Sequence, residues 1–195
     1  MTNTQTGTSI SRIVEGVELP TTGTYVLDPT HTRVGFVARH LMVTKVRGYF
    51  PLFEGSITIA DDPKNSTAAV TIQTASVDTG TADRDTHLRS ADFFDAEKFP
   101  EMTFRNAHVV SQKGTDFTVV GELTIKDVTR EVQLAVELDG IVKDPWGNTR
   151  LAVTASTDID REHWGLTWNA ALETGGVVVS KNIRIEIESE AVLQK

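Results

Sequence analysis

The amino-acid sequence specifies an all-β chain closed into an antiparallel barrel. From Tyr25 onward apolar and polar residues alternate with a period of two in segment after segment, as strands with one buried face require. The segments are joined by short turns, and a single stretch breaks the pattern in favour of a helix. Eight or nine strands, each wet on one face, suit an up-and-down barrel, because closure removes exposed sheet edges. A two-sheet sandwich is the structural rival.

In the first segment Val34, Phe36, Ala38 and His40 share one parity, opposite Arg33, Gly35 and Arg39. Residues 40–44 are expected to form a short helical cap over a barrel end. Parity changes near Pro51, with Phe50 and Leu52 in one register and Phe53, Ile57 and Ile59 in the other, so a bulge or bend is expected there. A turn at residues 61–65 leads to a strand carrying Ala68, Val70, Ile72 and Thr74 on one face. In residues 75–100, a helix over 83–90 follows a capping Thr81, with a further turn at 91–97. Met102, Phe104, Asn106, His108 and Val110 then share one face. The same alternation gives strands with Phe117, Val119, Gly121, Leu123 and Ile125, with Val132, Leu134, Val136 and Leu138, and with Leu151, Val153, Ala155, Thr157 and Ile159. Gly175 and Gly176 read as a turn before a last strand of Val177, Val179, Ile183, Ile185 and Ile187. Residues 1–22 are Thr- and Ser-rich and are expected to form a flexible tail, with one domain over residues 23–195.

Composition removes whole classes of function. No apolar run approaches the ~20 residues that span a bilayer as a helix. A formal charge of −8 opposes nucleic acid and anionic lipid surfaces. The absence of cysteine excludes disulfides, thiolate catalysis and cysteine metal sites. Lacking a basic and then apolar start, the N-terminus shows no secretory signal, and a cytoplasmic location is expected.

The chemical motifs are sparse. Asp83, Asp85 and His87 lie close in sequence, but on a helix Asp85 points away from the other two, and a solvated helix surface is favoured over a metal site. The five histidines form no metalloenzyme pattern, no G-x-S-x-G is present, and no glycine run resembles a phosphate loop. An inward histidine such as His40 or His108 is more often a satisfied core residue than a ligand contact. The aromatic residues serve equally well to line a tunnel or to fill a core, since barrels of about eight strands do both.

Taken in order, several motifs resemble the YceI-like family of polyisoprenoid-binding, lipocalin-like proteins, over roughly residues 23–190. They are Tyr25-Val26-Leu27-Asp28-Pro29-Thr30-His31-Thr32, with Thr32 where the family typically has serine; Gly48-Tyr49-Phe50; Phe53-Glu54-Gly55; and Arg84-Asp85 with His87-Leu88-Arg89-Ser90-Ala91-Asp92-Phe93-Phe94-Asp95 and Phe99-Pro100. Gly121-Glu122-Leu123-Thr124-Ile125 and Ile159-Asp160-Arg161 with Trp164-Gly165-Leu166 follow. The resemblance implies an extended, eight-stranded antiparallel lipocalin-like barrel capped by short helices. It implies a non-catalytic carrier, often homodimeric, that holds a long-chain isoprenoid, either a polyisoprenoid or an isoprenoid quinone, and that needs no cofactor or metal. The apolar lining is then assigned to Val34, Phe36, Ala38, Met42, Phe50, Phe53, Phe93, Phe104, Leu123, Leu134, Val153 and Trp168, from parity or aromatic character. Polar contacts to a head group are assigned to His40, Arg84, His87 and Asn106. The alternatives are a dry-cored structural or stress-response barrel, and a lipid-modifying enzyme with His40 or His87 as base and Asp83 or Asp85 as its orienting partner.

Overall fold

The computed structural model of the chain describes residues 9–170 and 177–195. Its strands are β1 (Ser11–Val14), β2 (Val17–Pro20), β3 (Gly23–Leu27), β4 (Arg33–His40), β5 (Thr44–Tyr49), β6 (Phe53–Ile59), β7 (Thr67–Gln73), β8 (Glu101–Lys113), β9 (Asp116–Ile125), β10 (Val128–Lys143), β11 (Thr149–Asp160) and β12 (Asn182–Leu193). The helix α1 (Ala82–Arg89) lies between β7 and β8. The expected turn at Gly175 and Gly176 lies outside the described residues.

Antiparallel neighbours run β3-β6-β7-β8-β9-β10-β11-β12, and β12 returns to β3, so eight strands form a closed ring. Pairing of β11 with β12 over eleven registered positions, from Arg150↔Val192 to Asp160↔Asn182, decides for the barrel against the sandwich. The barrel is extended because β3 and β4 succeed one another along β12: Ala191 pairs with Leu27, whereas Ile187 pairs with Val34. At the corner between them the Thr32 hydroxyl donates to the carbonyl of Glu190 and accepts from its amide, so the threonine supplies the bridging hydroxyl. The β4–β5 hairpin then extends the sheet beyond the ring.

Local chemistry accounts for the turns. Ile125 pairs with Val128 across a two-residue turn in which Lys126 has φ +57°. The chain bends after Tyr49, as the parity change predicted, and β6 starts beyond Pro51.

Three expectations require correction. Residues 11–20, expected within a flexible tail, form the β1–β2 hairpin, turning at Glu15 (φ +50°) and Gly16 (φ +82°). Two consecutive left-handed residues match the right-handed strand twist, and glycine at the second eases the turn. Residues 40–44 are no helical cap: His40 pairs with Thr44 across the tight turn of the β4–β5 hairpin. Thr81 occupies the N-cap of α1 but its side chain makes no capping bond. Instead the buried carboxylate of Asp85 reaches back to accept from the amide and hydroxyl of Thr79. Arg89 completes the attachment by donating to the carbonyls of Ala75 and Val77. A helix polar almost all round is thus held mainly by side-chain to backbone hydrogen bonds.

Two buried clusters mark the barrel's ends. One gathers Val34, Phe50, Val77, Phe93, Trp164 and Leu166 beneath α1 and the segment after it. The other gathers Leu19, Tyr25, Leu27, Leu138, Leu151 and Ala191 beneath the β1–β2 hairpin.

Candidate functional site

Inward-facing residues of the barrel line a cavity of about 340 Å³. Its wall draws on all eight ring strands and on β4, with Ile57 and Ile59 of β6, Phe117 and Val119 of β9, and Ile183, Ile185 and Ile187 of β12 among the residues that face it. Leu19 and Pro20 of the N-terminal hairpin close one end; Leu88, Phe93, Phe94 and Leu166 close the other. Apolar side chains supply nearly the whole surface, so the space offers few hydrogen bonds to water.

Of the twelve residues assigned to an apolar lining, nine stand on this wall: Val34, Phe36, Ala38, Phe50, Phe93, Phe104, Leu123, Leu134 and Val153. Met42 does not, because it lies in the β4–β5 turn and is 53% exposed. Phe53 is half-buried against both clusters without reaching the cavity. Trp168 packs outside the wall against Phe93, ring centroids 5.3 Å apart, and against His87 at 4.6 Å.

The four polar residues do not converge. His40 is exposed at the end of β4. Arg84 is consumed by the loop before α1, donating to the Thr79 hydroxyl and carbonyl and to the Thr81 hydroxyl. His87 holds Asp92 at 2.9 Å through Nε2. Asn106 faces outward and donates to Glu122. A β-bulge explains this last reversal: the β8–β9 register shifts between Arg105 and His108, and Asn106 has φ +53°. One extra residue inverts parity, so Ala107 and Val109 line the cavity in place of Asn106, His108 and Val110. Asparagine tolerates the left-handed conformation, which is a local signal, but not one that separates a bulge from a continuous strand.

Asp83, Asp85 and His87 also fail to share a focus, since Asp85 turns to Thr79 and His87 to Asp92. Among the described residues no three or more histidine and carboxylate side chains are grouped to hold a metal ion, and no helix is long and apolar enough to cross a membrane.

Sequence patterning missed Arg161, the charged group most closely tied to the cavity. It borders the cavity although its side chain is buried, with 4% of the residue exposed. The guanidinium donates to the carbonyls of Ser180, Leu166 and Trp168, and lies 5.8 Å from the Phe93 ring centre. Burial lowers its pKa from the usual arginine value, opposed by the nearby Glu162 and Asp160 charges. The hairpin was missed as well, although Glu15-Gly16 between Val14 and Val17 is a recognisable turn signal.

Fold and cavity together define a closed antiparallel β-barrel with an apolar bore. The chain belongs to the YceI-like domain family, whose model matches residues 25–191. A UPF0312 protein of Staphylococcus aureus strain N315 is 37% identical over 171 residues, covering 85% of this chain and 95% of its own. Among solved structures, BcnA of Burkholderia cenocepacia superposes with a TM-score of 0.74 at 22% identity, covering 85% of this chain and 99% of BcnA. The YceI protein of Campylobacter jejuni gives 0.69 at 28% identity over 80% of this chain and 90% of that one. A polyisoprenoid-binding domain from Saccharophagus degradans implicated in plant cell wall breakdown gives 0.61 at 18% identity, covering 89% of this chain and all of that domain.

Proposed function

We propose that the protein binds a long-chain isoprenoid, polyprenyl or quinone-like, or a related amphiphilic lipid, along the bore of its barrel. The observation that carries this reading is the apolar cavity of about 340 Å³ in the bore of the barrel. Protein interiors are normally packed to the density of organic crystals. Left empty, an apolar space of this size forfeits the dispersion contacts that a packed interior would make across it. Water gains little there, because a bound water needs two to four polar partners. An apolar chain supplies the missing contacts and gains ~0.8 kcal/mol for each methylene removed from water. This argument disfavours the dry-cored barrel, and the polyisoprenoid-binding domain of Saccharophagus degradans offers a precedent for such cargo in the same architecture.

The protein's own groups bind and exclude water; no reaction step is assigned to them. Selection among tails rests on the end closed by Leu19 and on the aromatic end built from Phe93 and Phe94, because ordering a flexible chain offsets much of the gain from burial. Native mass spectrometry of the purified protein, before and after incubation with polyprenyl lipids, tests the proposal. A stoichiometric adduct whose mass is identified after solvent extraction supports it, and the same spectrum reads the expected homodimer. Bare protein after incubation, with the fold intact by circular dichroism, would overturn it.

A further inference from the structure

The β4–β5 hairpin ends in an arrangement that its own folding does not explain. Leu41, Met42 and Val43 form the turn and are 42%, 53% and 77% exposed. Leu41 and Met42 both take left-handed backbone angles, φ +52° and +60°, where tight hairpins favour Asn and Gly. Large apolar side chains here meet water and hold a strained conformation together, and such strain persists where the surrounding structure enforces it. The anchoring contacts are visible: the Leu41 amide donates to the carbonyl of Val178 at 2.9 Å, and His40 bridges to Val179.

Charge around the tip runs against the chain's average. Residues 33–49 contain Arg33, Arg39, Lys45 and Arg47 and no acidic residue, in a protein with formal charge −8. Arg33 and Arg47 lie beside Glu186 and Glu188 of β12, which offset them. Arg39 and Lys45, a cross-strand pair next to the turn, form no ion pair with the described residues. An apolar tip flanked by two cations matches the interface of an anionic bilayer, where acyl chains receive the tip and head groups meet the charges. The acidity of the rest of the barrel opposes this weakly, because repulsion beyond a Debye length of about 8 Å is screened at physiological salt.

We propose that this hairpin tip docks the protein on membranes containing anionic lipid. Ala38 on the same strand and Val179 beside it line the cavity, so docking would bring that end of the barrel to the bilayer. The inference concerns the tip and holds or fails independently of what the cavity contains.

Cosedimentation of the full chain with vesicles of phosphatidylcholine, and of phosphatidylcholine mixed with phosphatidylglycerol, tests it. Binding is expected to the mixed vesicles and to weaken as salt rises. Arg39→Gln and Lys45→Gln are each expected to reduce the partition coefficient about fivefold. Replacing Leu41, Met42 and Val43 together by Ser should reduce it by at least about tenfold. Because the chain has no cysteine, Met42→Cys carries a single environment-sensitive fluorophore, whose emission should shift to the blue on the mixed vesicles. This readout still decides if the triple variant folds poorly. Absence of vesicle binding, binding indifferent to the tip substitutions, or a label that stays in water would overturn the proposal. A triple variant that merely converts a dimer to a monomer, with no wild-type binding to vesicles, would assign the tip to self-association instead.

Discussion

Phe36 and Phe104 show how single positions shape the bore. Phe36 stands opposite Gly48 on β5, and the Phe104 ring lies over Gly121 on β9; a Cβ at either glycine would collide with the phenyl ring. Each ring rests against the wall only because its neighbour lacks a side chain. Gly121→Val is therefore expected to push Phe104 into the cavity, costing roughly 1–3 kcal/mol by overpacking. A denaturant titration measures the cost, and a prenyl chain-length series in native mass spectrometry should lose its longest members first. Arg161 raises a different issue: Arg161→Leu leaves the carbonyls of Leu166, Trp168 and Ser180 without their donor. A loss of roughly 3 kcal/mol or more is expected, and Arg161→Lys should restore only part of it because an ammonium lacks the planar fork. Equal stability of the leucine variant and the wild type would show those carbonyls to be satisfied some other way. The alternation pattern pointed to Phe36 and Phe104 but was silent about Arg161, since a buried arginine satisfied by backbone carbonyls has no periodic signature.

The elements differ in what attaches them. Strands β6 to β12 share ladders, whereas the β1–β2 hairpin is held by Leu19, 3% exposed, and by Arg12, which donates to the carbonyls of Pro20, Ala60 and Asp61. The matched family domain begins at residue 25, so this closure lies outside it. Leu19→Ala is expected to cost about 2–5 kcal/mol, the usual penalty for emptying a buried leucine site. Removing residues 1–21 should leave a folded barrel that exchanges a fluorescent prenyl probe faster than the full chain, as stopped-flow displacement would show; unchanged exchange would mean that the hairpin closes nothing the ligand uses. The turn at Glu15-Gly16 was a readable signal, but beyond neighbouring β3 its apolar partners lie on β10, β11 and β12, far along the chain.

In the molecule as a whole, one ionic network joins distant parts of the chain. Arg150 contacts Asp28 at 2.7 Å, Asp144 at 3.0 Å and Glu190 at 3.1 Å, linking the β3–β4 corner, the β10–β11 turn and β12. Hydrogen bonds from Thr30 and then Arg150 hold the Asp28 carboxyl well below the ordinary carboxylate range. Burial pushes Asp144 upward, but donors on Asn148, Arg150 and Trp146 outweigh it and bring its pKa down to about 2. Carboxylates with lowered native pKa values stabilise the fold fully above their unfolded values near ~4, and that contribution disappears as pH falls through the native values. Acid unfolding is therefore expected below pH ~4, progressing toward about 2, and Arg150→Met should move its midpoint upward. Circular dichroism against pH checks this; a midpoint unmoved by the substitution would remove the network from the account.

Strand content, the inward parity of most wall residues, the bend near Pro51 and the helix before β8 all follow from local pattern, because the strand period of two and turn chemistry act over a few residues. Closure by β11–β12, the inversion of parity at Asn106, the seating of the N-terminal hairpin and the space left inside the ring depend on contacts between residues far apart in the chain. Alternation states that a face is apolar and leaves open whether that face meets a packed core or a cavity. The strand number and stagger of the closed barrel set that distance, and they exist only once the ring has formed.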